Sequence, residues 1–277
     1  MWVMTNEPQR YTRVLSIAGS DSGGGAGIQA DLKTFAALGC YGMTAITALT
    51  AQNTLGVSAI HGVPPEMLKA QLCAVFDDIG VDAVKIGMLH APDIVRTVAW
   101  ALKHYGVKQV VLDPVMVATS GAKLLADDAL QALRERLLPL ATVLTPNIPE
   151  AELLLGHPIP DDEAAEAALV ELLALDCGAV LLKGGHLPGN DVMTDRFDDG
   201  EALLEFEHPR LDVEGHGTGC TLASAIAANL CLGLDLRAAC ADATDYVHGA
   251  LRHAYRPGHT PVAVLQHFWR LRGDIAP

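Results

Sequence analysis

The sequence predicts an α/β protein: a central, mostly parallel sheet with helices on both faces and a small antiparallel hairpin at its edge. Three observations carry this. Short apolar runs at residues 14–18, 43–50, 83–88, 110–116, 142–147 and 179–185 have strand length. Helix-like segments separate them, at about 28–38, 65–79, 92–105, 127–138, 149–155 and 162–175, and this alternation is what a parallel sheet with crossover helices requires. Two strand-like runs, 192–197 and 202–207, flank Asp198-Asp199-Gly200-Glu201, and Asp-Gly at such a place reads as a hairpin turn. Of the 277 residues 50% are hydrophobic, enough for a substantial core.

Composition narrows the function. With 19 Lys+Arg against 33 Asp+Glu the net charge is −14, which argues against nucleic acid or an anionic membrane as partner. Any phosphate would be held mostly by backbone N–H groups and a few chosen cations. The six cysteines form no Cys-x-x-Cys pair, and no histidines stand at zinc spacing. No apolar run reaches bilayer length, and the first residues carry no apolar signal core. The expectation is a reduced, cytoplasmic protein: a loose tail over 1–12, then one domain over 13–277.

The first strand runs into Gly19-Ser20-Asp21-Ser22-Gly23-Gly24-Gly25-Ala26-Gly27 and then a helix. Strand, glycine loop and helix form the local setting of a nucleotide-binding turn, but the spacing of a dinucleotide fingerprint is not clean. A Walker A loop needs Gly-Lys, and that dipeptide does not occur. The loop is expected to meet a small polar ligand. A second glycine stretch, Gly215-His216-Gly217-Thr218-Gly219-Cys220-Thr221, leads into a helix apolar nearly all round, hence buried, with Gly233 placed to end it. Thr218 is the expected N-cap. A buried helix start offers unpaired N–H groups and the positive dipole end to an anion such as phosphate, and a thiol in its first turn, Cys220, is expected to ionise more easily. From this stretch alone a glycine turn before a core helix explains the residues equally well. Helices at about 235–255 and 261–272 close the chain.

In an open α/β sheet, ligands sit beyond the carboxyl ends of the strands. There the sequence places Gly19 to Gly27, Gln52, Met88, Asp113, Asn147 with Glu150, Lys183 and the 215–221 turn. Asn147 and Glu150, one helical turn apart, suit Mg²⁺ and its waters around phosphates; taken alone, an Asn cap with a first-turn Glu explains them better. Lys183 would be a point charge beside a phosphate, and Asp113 either caps a turn or holds metal. His216 bonds its own turn or contacts substrate. Together, at one sheet edge, these residues favour an anion-binding enzyme.

The same residues carry a resemblance. Ala18-Gly19-Ser20-Asp21-Ser22 with residues 24–35, Ala51-Gln52-Asn53-Thr54, Lys85-Ile86-Gly87-Met88-Leu89, Asp113-Pro114-Val115-Met116, residues 145–151, Lys183-Gly184-Gly185-His186 and His216-Gly217-Thr218-Gly219-Cys220-Thr221 resemble the hydroxymethylpyrimidine/phosphomethylpyrimidine kinases of thiamine synthesis, over about residues 13–270. His-Gly-Thr-Gly-Cys-Thr separates that family from other ribokinase-like kinases, which usually carry Asp where Cys220 stands.

The resemblance implies a ribokinase-like fold, a homodimer, ATP with Mg²⁺, and two successive phosphorylations: of 4-amino-5-hydroxymethyl-2-methylpyrimidine, then of its monophosphate. It implies a pyrimidine pocket at Gly19, Asp31, Gln52, Met88 and Val115. Phosphate and metal residues fall at Asp113, Asn147, Glu150 and Lys183, with Asn147 and Lys183 on the nucleotide and Asp113 and Glu150 on the metal. An anion hole falls at Gly217, Thr218, Gly219 and Cys220, and catalytic roles at Cys220 and Lys183. Ser22-Gly23 and Glu214-Gly215 depart from the usual pattern. The alternatives are a pyridoxal-type kinase and a non-catalytic pyrimidine binder. Residues 117–123 are the lid candidate.

Overall fold

A computed structural model describes residues 11–116, 127–187 and 191–271. Chain order runs β1 (Arg13–Asp21), α1 (Gly27–Ala37), β2 (Tyr41–Asn53), β3 (Gly56–Gly62), α2 (Pro65–Ala74), β4 (Ala83–Ile86), α3 (Pro92–Tyr105), β5 (Val110–Leu112) and α4 (Asp127–Arg136). It continues with β6 (Val143–Leu144), α5 (Ile148–Leu155), α6 (Asp162–Leu173), β7 (Val180–Leu182), β8 (Val192–Asp198), β9 (Leu203–Pro209), β10 (Gly215–His216), α7 (Thr218–Cys231), α8 (Leu236–Arg252) and β11 (Ala263–Val264).

Among the described residues nine strands form one sheet in the order β3-β2-β1-β4-β5-β6-β7-β8-β9. The central pairings are parallel, while β2–β3, β7–β8 and β8–β9 are antiparallel. The fold is thus the expected one, with the Asp198–Glu201 turn joining β8 to β9. One packed cluster joins the sheet to α3, α4, α5 and α6 (Leu15, Ile86, Val98, Leu112, Leu144, Leu169); another joins the opposite face to α1, α7 and α8 (Phe35, Val111, Leu181, Ile226, Tyr246). In α7 every residue from Thr221 to Leu230 is buried, as its apolar circumference requires.

Three local expectations are corrected. An antiparallel strand, β3, stands at the edge opposite the β8–β9 hairpin, so both edges are antiparallel. The segment expected as a helix over 261–272 instead forms β11, which pairs in parallel with β10, and a short 3₁₀ turn at Trp269–Leu271. The N-cap of α7 is Gly217, not Thr218: its φ of 89° is left-handed, a conformation glycine adopts without a Cβ clash, and no side chain caps this helix.

Candidate active site

A cavity of about 590 Å³ opens at the carboxyl ends of β1, β2, β4, β5, β6 and β7. Gly19, Gln52, Met88, Asp113, Val115, Asn147, Glu150, Lys183 and Gly217 to Cys220 all line it, so the structure gathers them as the sequence grouped them. Its lining does not include Asp31. That side chain lies wholly buried in α1 and takes hydrogen bonds from Ser16 Oγ (2.5 Å), Ser224 Oγ (2.7 Å) and Lys85 Nζ (3.0 Å), of which Lys85 lines the cavity. The lid candidate at 117–123 lies outside the described residues.

One part of the cavity carries charge. Lys183 Nζ lies 2.9 Å from Asp113 Oδ1 and 3.6 Å from Glu150 Oε2. Burial alone would lower the lysine's pKa, but the charges of Asp113 and Glu150 outweigh it and hold the ammonium form. Burial pushes Glu150 up to about 7, with Lys183 opposing and Asp113 assisting. Asn147 and Glu150 form a complete capping box: Glu150 N–H donates to Asn147 Oδ1 (2.9 Å) and Asn147 N–H to Glu150 Oε2 (2.8 Å). The cap and the cavity wall are therefore the same residues. Opposite them begins α7, whose first N–H groups have no partner within the helix. A Cβ placed on Gly219 would stand 3.0 Å from Lys183 Nζ, so the glycine leaves room between the helix start and the cation.

Cys220 sits in that first turn, yet its thiol does not ionise as the helix end alone would suggest. Burial pushes its pKa up to about 11; the charge of Lys85 and the Gly27 N–H pull the other way and lose. The direction is opposite to the easier ionisation expected from the helix end alone.

The two glycine stretches touch. A Cβ on Gly217 would overlap the Gly25 carbonyl oxygen, and one on Gly25 would stand 2.5 Å from His216 Cδ2. Asp21 joins them. Its Oδ2 accepts from Gly25 N–H (3.0 Å) and Ala26 N–H (2.8 Å), its Oδ1 accepts from Gly23 N–H (2.7 Å), and His216 Nε2 lies 3.0 Å from Oδ2. Burial raises the Asp21 pKa, but the His216 contact and the backbone N–H groups outweigh it, and the carboxyl stays ionised below its usual range.

The sequence reading passed over several wall residues. Lys85 is fully buried in β4, and the signal was available: a lysine inside an apolar strand requires a partner. Asp195, buried on β8 and raised to about 6 by desolvation, accepts from Gly184 N–H (2.9 Å) and lines the cavity. Thr244, Val247, His248 and Leu251 of α8, with Pro209, Arg210, Leu211 and Val213, form a further wall that no local pattern marked.

The phosphomethylpyrimidine kinase family profile matches residues 21–264. The chain belongs to that family. It is 51% identical over 262 residues to a hydroxymethylpyrimidine/phosphomethylpyrimidine kinase of Rhizobium meliloti, covering 92% of this chain and 98% of that protein. A crystal structure of phosphomethylpyrimidine kinase from Clostridium difficile superposes with a TM-score of 0.76 at 44% identity, over 85% of this chain and 97% of the other. The ADP complex of Bacillus subtilis pyridoxal kinase superposes with a TM-score of 0.88 at 36% identity, over 95% and 100%.

Proposed function

We propose that this chain phosphorylates the hydroxymethyl group of 4-amino-5-hydroxymethyl-2-methylpyrimidine with ATP, and then its monophosphate to the diphosphate. The family membership supports the reaction class. The observation that carries the assignment to this cavity is the facing of an uncapped helix start, Thr218 to Cys220, and a lysine, Lys183, across a gap that Gly219 keeps open. Phosphoryl transfer asks for little covalent chemistry from the protein; it asks for alignment and for charge on the phosphoryl oxygens to be met.

In this reading Gly19, Gln52, Met88 and Val115 hold the flat ring, with Asp31 acting through Lys85. The N–H groups of Gly217 to Cys220 meet the charge that grows on the transferred group, and Lys183 meets it from the other side. Asn147 and Lys183 contact the nucleotide. Asp113 and Glu150 fit Mg²⁺: the ion commonly takes one or two carboxylates plus phosphate oxygens and water rather than an all-protein cage. When bound, the metal neutralises phosphate charge. Cys220, resting as a thiol, lies where it can hold the substrate hydroxyl, and its thiolate form can take the hydroxyl proton late in the transfer. No enzyme nucleophile is needed.

Pyridoxal-type alcohols are the competing substrates, since the structural likeness extends to pyridoxal kinase. A coupled ATPase assay of the purified protein with each alcohol decides. The expected result is turnover of the pyrimidine above that of pyridoxal; binding without turnover would leave a pyrimidine binder. A cytoplasmic homodimer is proposed as the working form. Among the described residues no helix is long and apolar enough to cross a membrane, and a monomer mass by light scattering would remove the dimer.

A further inference from the structure

The Gln52 side chain sits between two partners that do not agree with one orientation of its amide. Its Nε2 lies 3.2 Å from His216 Nε2, and its Oε1 lies 3.0 Å from Thr50 Oγ1. Asp21, held ionised, stands 3.0 Å from the same His216 nitrogen, so that nitrogen must carry its hydrogen and give it to the carboxylate; two lone pairs facing at that distance would repel. An N–H at His216 faced by an N–H of Gln52 sets donor against donor. At the other end, the Thr50 hydroxyl gives its single hydrogen to the Ser20 carbonyl oxygen at 2.9 Å, leaving Oγ1 as an acceptor opposite an amide oxygen. Turning the amide by half a revolution removes both conflicts. Oxygen then faces His216 and nitrogen faces Thr50, with the same distances.

We propose that Asp21 and His216, with Thr50 opposite, lock the polarity of the Gln52 amide, and that this polarity decides which way a bound aminopyrimidine presents its hydroxymethyl group. The inference rests on the pyrimidine-kinase reading of the cavity. The 4-aminopyrimidine edge pairs a ring-nitrogen acceptor with an amine donor. Against a locked amide the amine goes to the oxygen, on the His216 side, and the ring nitrogen goes to the N–H, on the Thr50 side. The hydroxymethyl group is bonded to the ring carbon next to the amine-bearing one. It therefore swings to the His216 side, and His216 runs directly into Gly217, the start of the turn proposed to receive the phosphoryl group. With the amide reversed, the same ring would enter turned over, its alcohol on the far side. Asp21 and His216 are thus positioning residues. They act through Gln52, and the first glycine loop, which Asp21 organises, acts through them.

The test compares two alcohols that differ only in the polarity of this edge: the 4-amino substrate and its 4-oxo analogue, whose ring N–H and carbonyl oxygen reverse the pattern. The wild type should prefer the 4-amino alcohol by about 100-fold or more in kcat/KM, because the analogue meets donor with donor and acceptor with acceptor. In His216→Leu the amide keeps only the Thr50 anchor, and the preference should shrink about tenfold or more, through loss on the 4-amino substrate and gain on the 4-oxo one. A merely structural defect would lower both rates together. Thr50→Val removes the opposite anchor with almost no change of shape and should shrink the preference in the same direction; it decides the matter if His216→Leu does not fold. An unchanged preference in the folded variants overturns the proposal. A wild type that turns over neither alcohol overturns the pyrimidine-kinase reading, and this inference with it.

Discussion

The glycine turn at 19–27 and the glycine turn at 215–220 are similar in composition and lie against each other, yet their backbone N–H groups meet different fates. In the first, Asp21 supplies an anion from within the loop, and the N–H groups of Gly23, Gly25 and Ala26 are spent on it. In the second, the helix start has no side-chain cap, and its residues line the cavity beside Lys183. Glycine count therefore does not make an anion site. A loop that carries its own carboxylate satisfies its N–H groups internally; the turn proposed as the receptor lacks one. In the first loop the N–H groups of Gly23, Gly25 and Ala26 bind Asp21, and Gly19 alone of its glycines before Gly27 lines the cavity where a small polar ligand is expected.

Substitutions that interchange or abolish the two characters should break the contrast, the receptor turn first. Gly217→Ala puts a Cβ into the Gly25 carbonyl at a left-handed φ, displacing the N–H groups. Turnover should fall by about 100-fold or more, the scale set by losing an oxyanion donor, and thermal melting should drop as well. Steady-state kinetics beside a melting curve checks both.

Cys220→Ala should come next. ATP and pyrimidine binding, followed by calorimetry, should survive while most of kcat is lost; Cys220→Asp should keep part of it. Because burial holds the thiol near 11, the thiolate fraction grows with pH throughout the neutral range. The log of kcat should then climb with pH in the wild type and flatten in Cys220→Asp. Near-normal kcat in Cys220→Ala would leave the chemistry to the helix start and reduce the thiol to packing.

For the self-capped loop the expected loss is of stability. Asp21→Ala orphans three N–H groups and removes the partner of His216, a cost of about 3 kcal/mol in denaturant unfolding. If the variant is as stable as the wild type, the loop does not depend on its internal anion. Smaller still, Gln52→Leu should weaken pyrimidine binding by about 1–3 kcal/mol while leaving ATP binding intact, read as a shift in KM for the alcohol.

The least effect concerns pH and the receptor turn alone. His267 Nε2 lies 3.1 Å from Thr221 Oγ1, and that hydroxyl also bonds the Gly217 carbonyl. Burial lowers His267 to about 4, so the folded protein keeps it neutral where the unfolded chain would protonate it. The unfolded state then binds more protons between about pH 4 and 6.5, and stability falls as pH drops through that window. Going from pH 7 to 6 should cost less than about 1 kcal/mol, measurable as a small fall in Tm that His267→Asn removes.

Much of this was legible in the chain. The apolar runs mark β1, β4, β5, β6 and β7 because these are buried on both faces, and Asp199-Gly200 marks the β8–β9 turn because only certain residues accept its geometry. The strand ends then bring the cavity residues together without further information. What escaped depends on partners far off in sequence. Ala263 and Val264 become a strand only because Gly215 and His216 lie beside them, a pairing across about fifty residues. Asp31, which the resemblance puts in the pyrimidine pocket, lies behind Lys85, held by Ser16, Ser224 and Lys85 from three other elements. The Cys220 thiol reads as activated from its place in the helix; only the packed structure reveals the desolvation that wins.

The contrast between the two turns is tested most directly by an amide-resolved NMR titration of the apo protein with inorganic pyrophosphate and Mg²⁺, a probe that carries phosphate charge and no ring. The amide signals of Gly217 to Cys220 should shift in a saturable manner, while those of Gly23, Gly25 and Ala26, already engaged by Asp21, stay in place. Equal shifts in both turns, or shifts in the first turn alone, would contradict the assignment of the open helix start as the phosphate receptor.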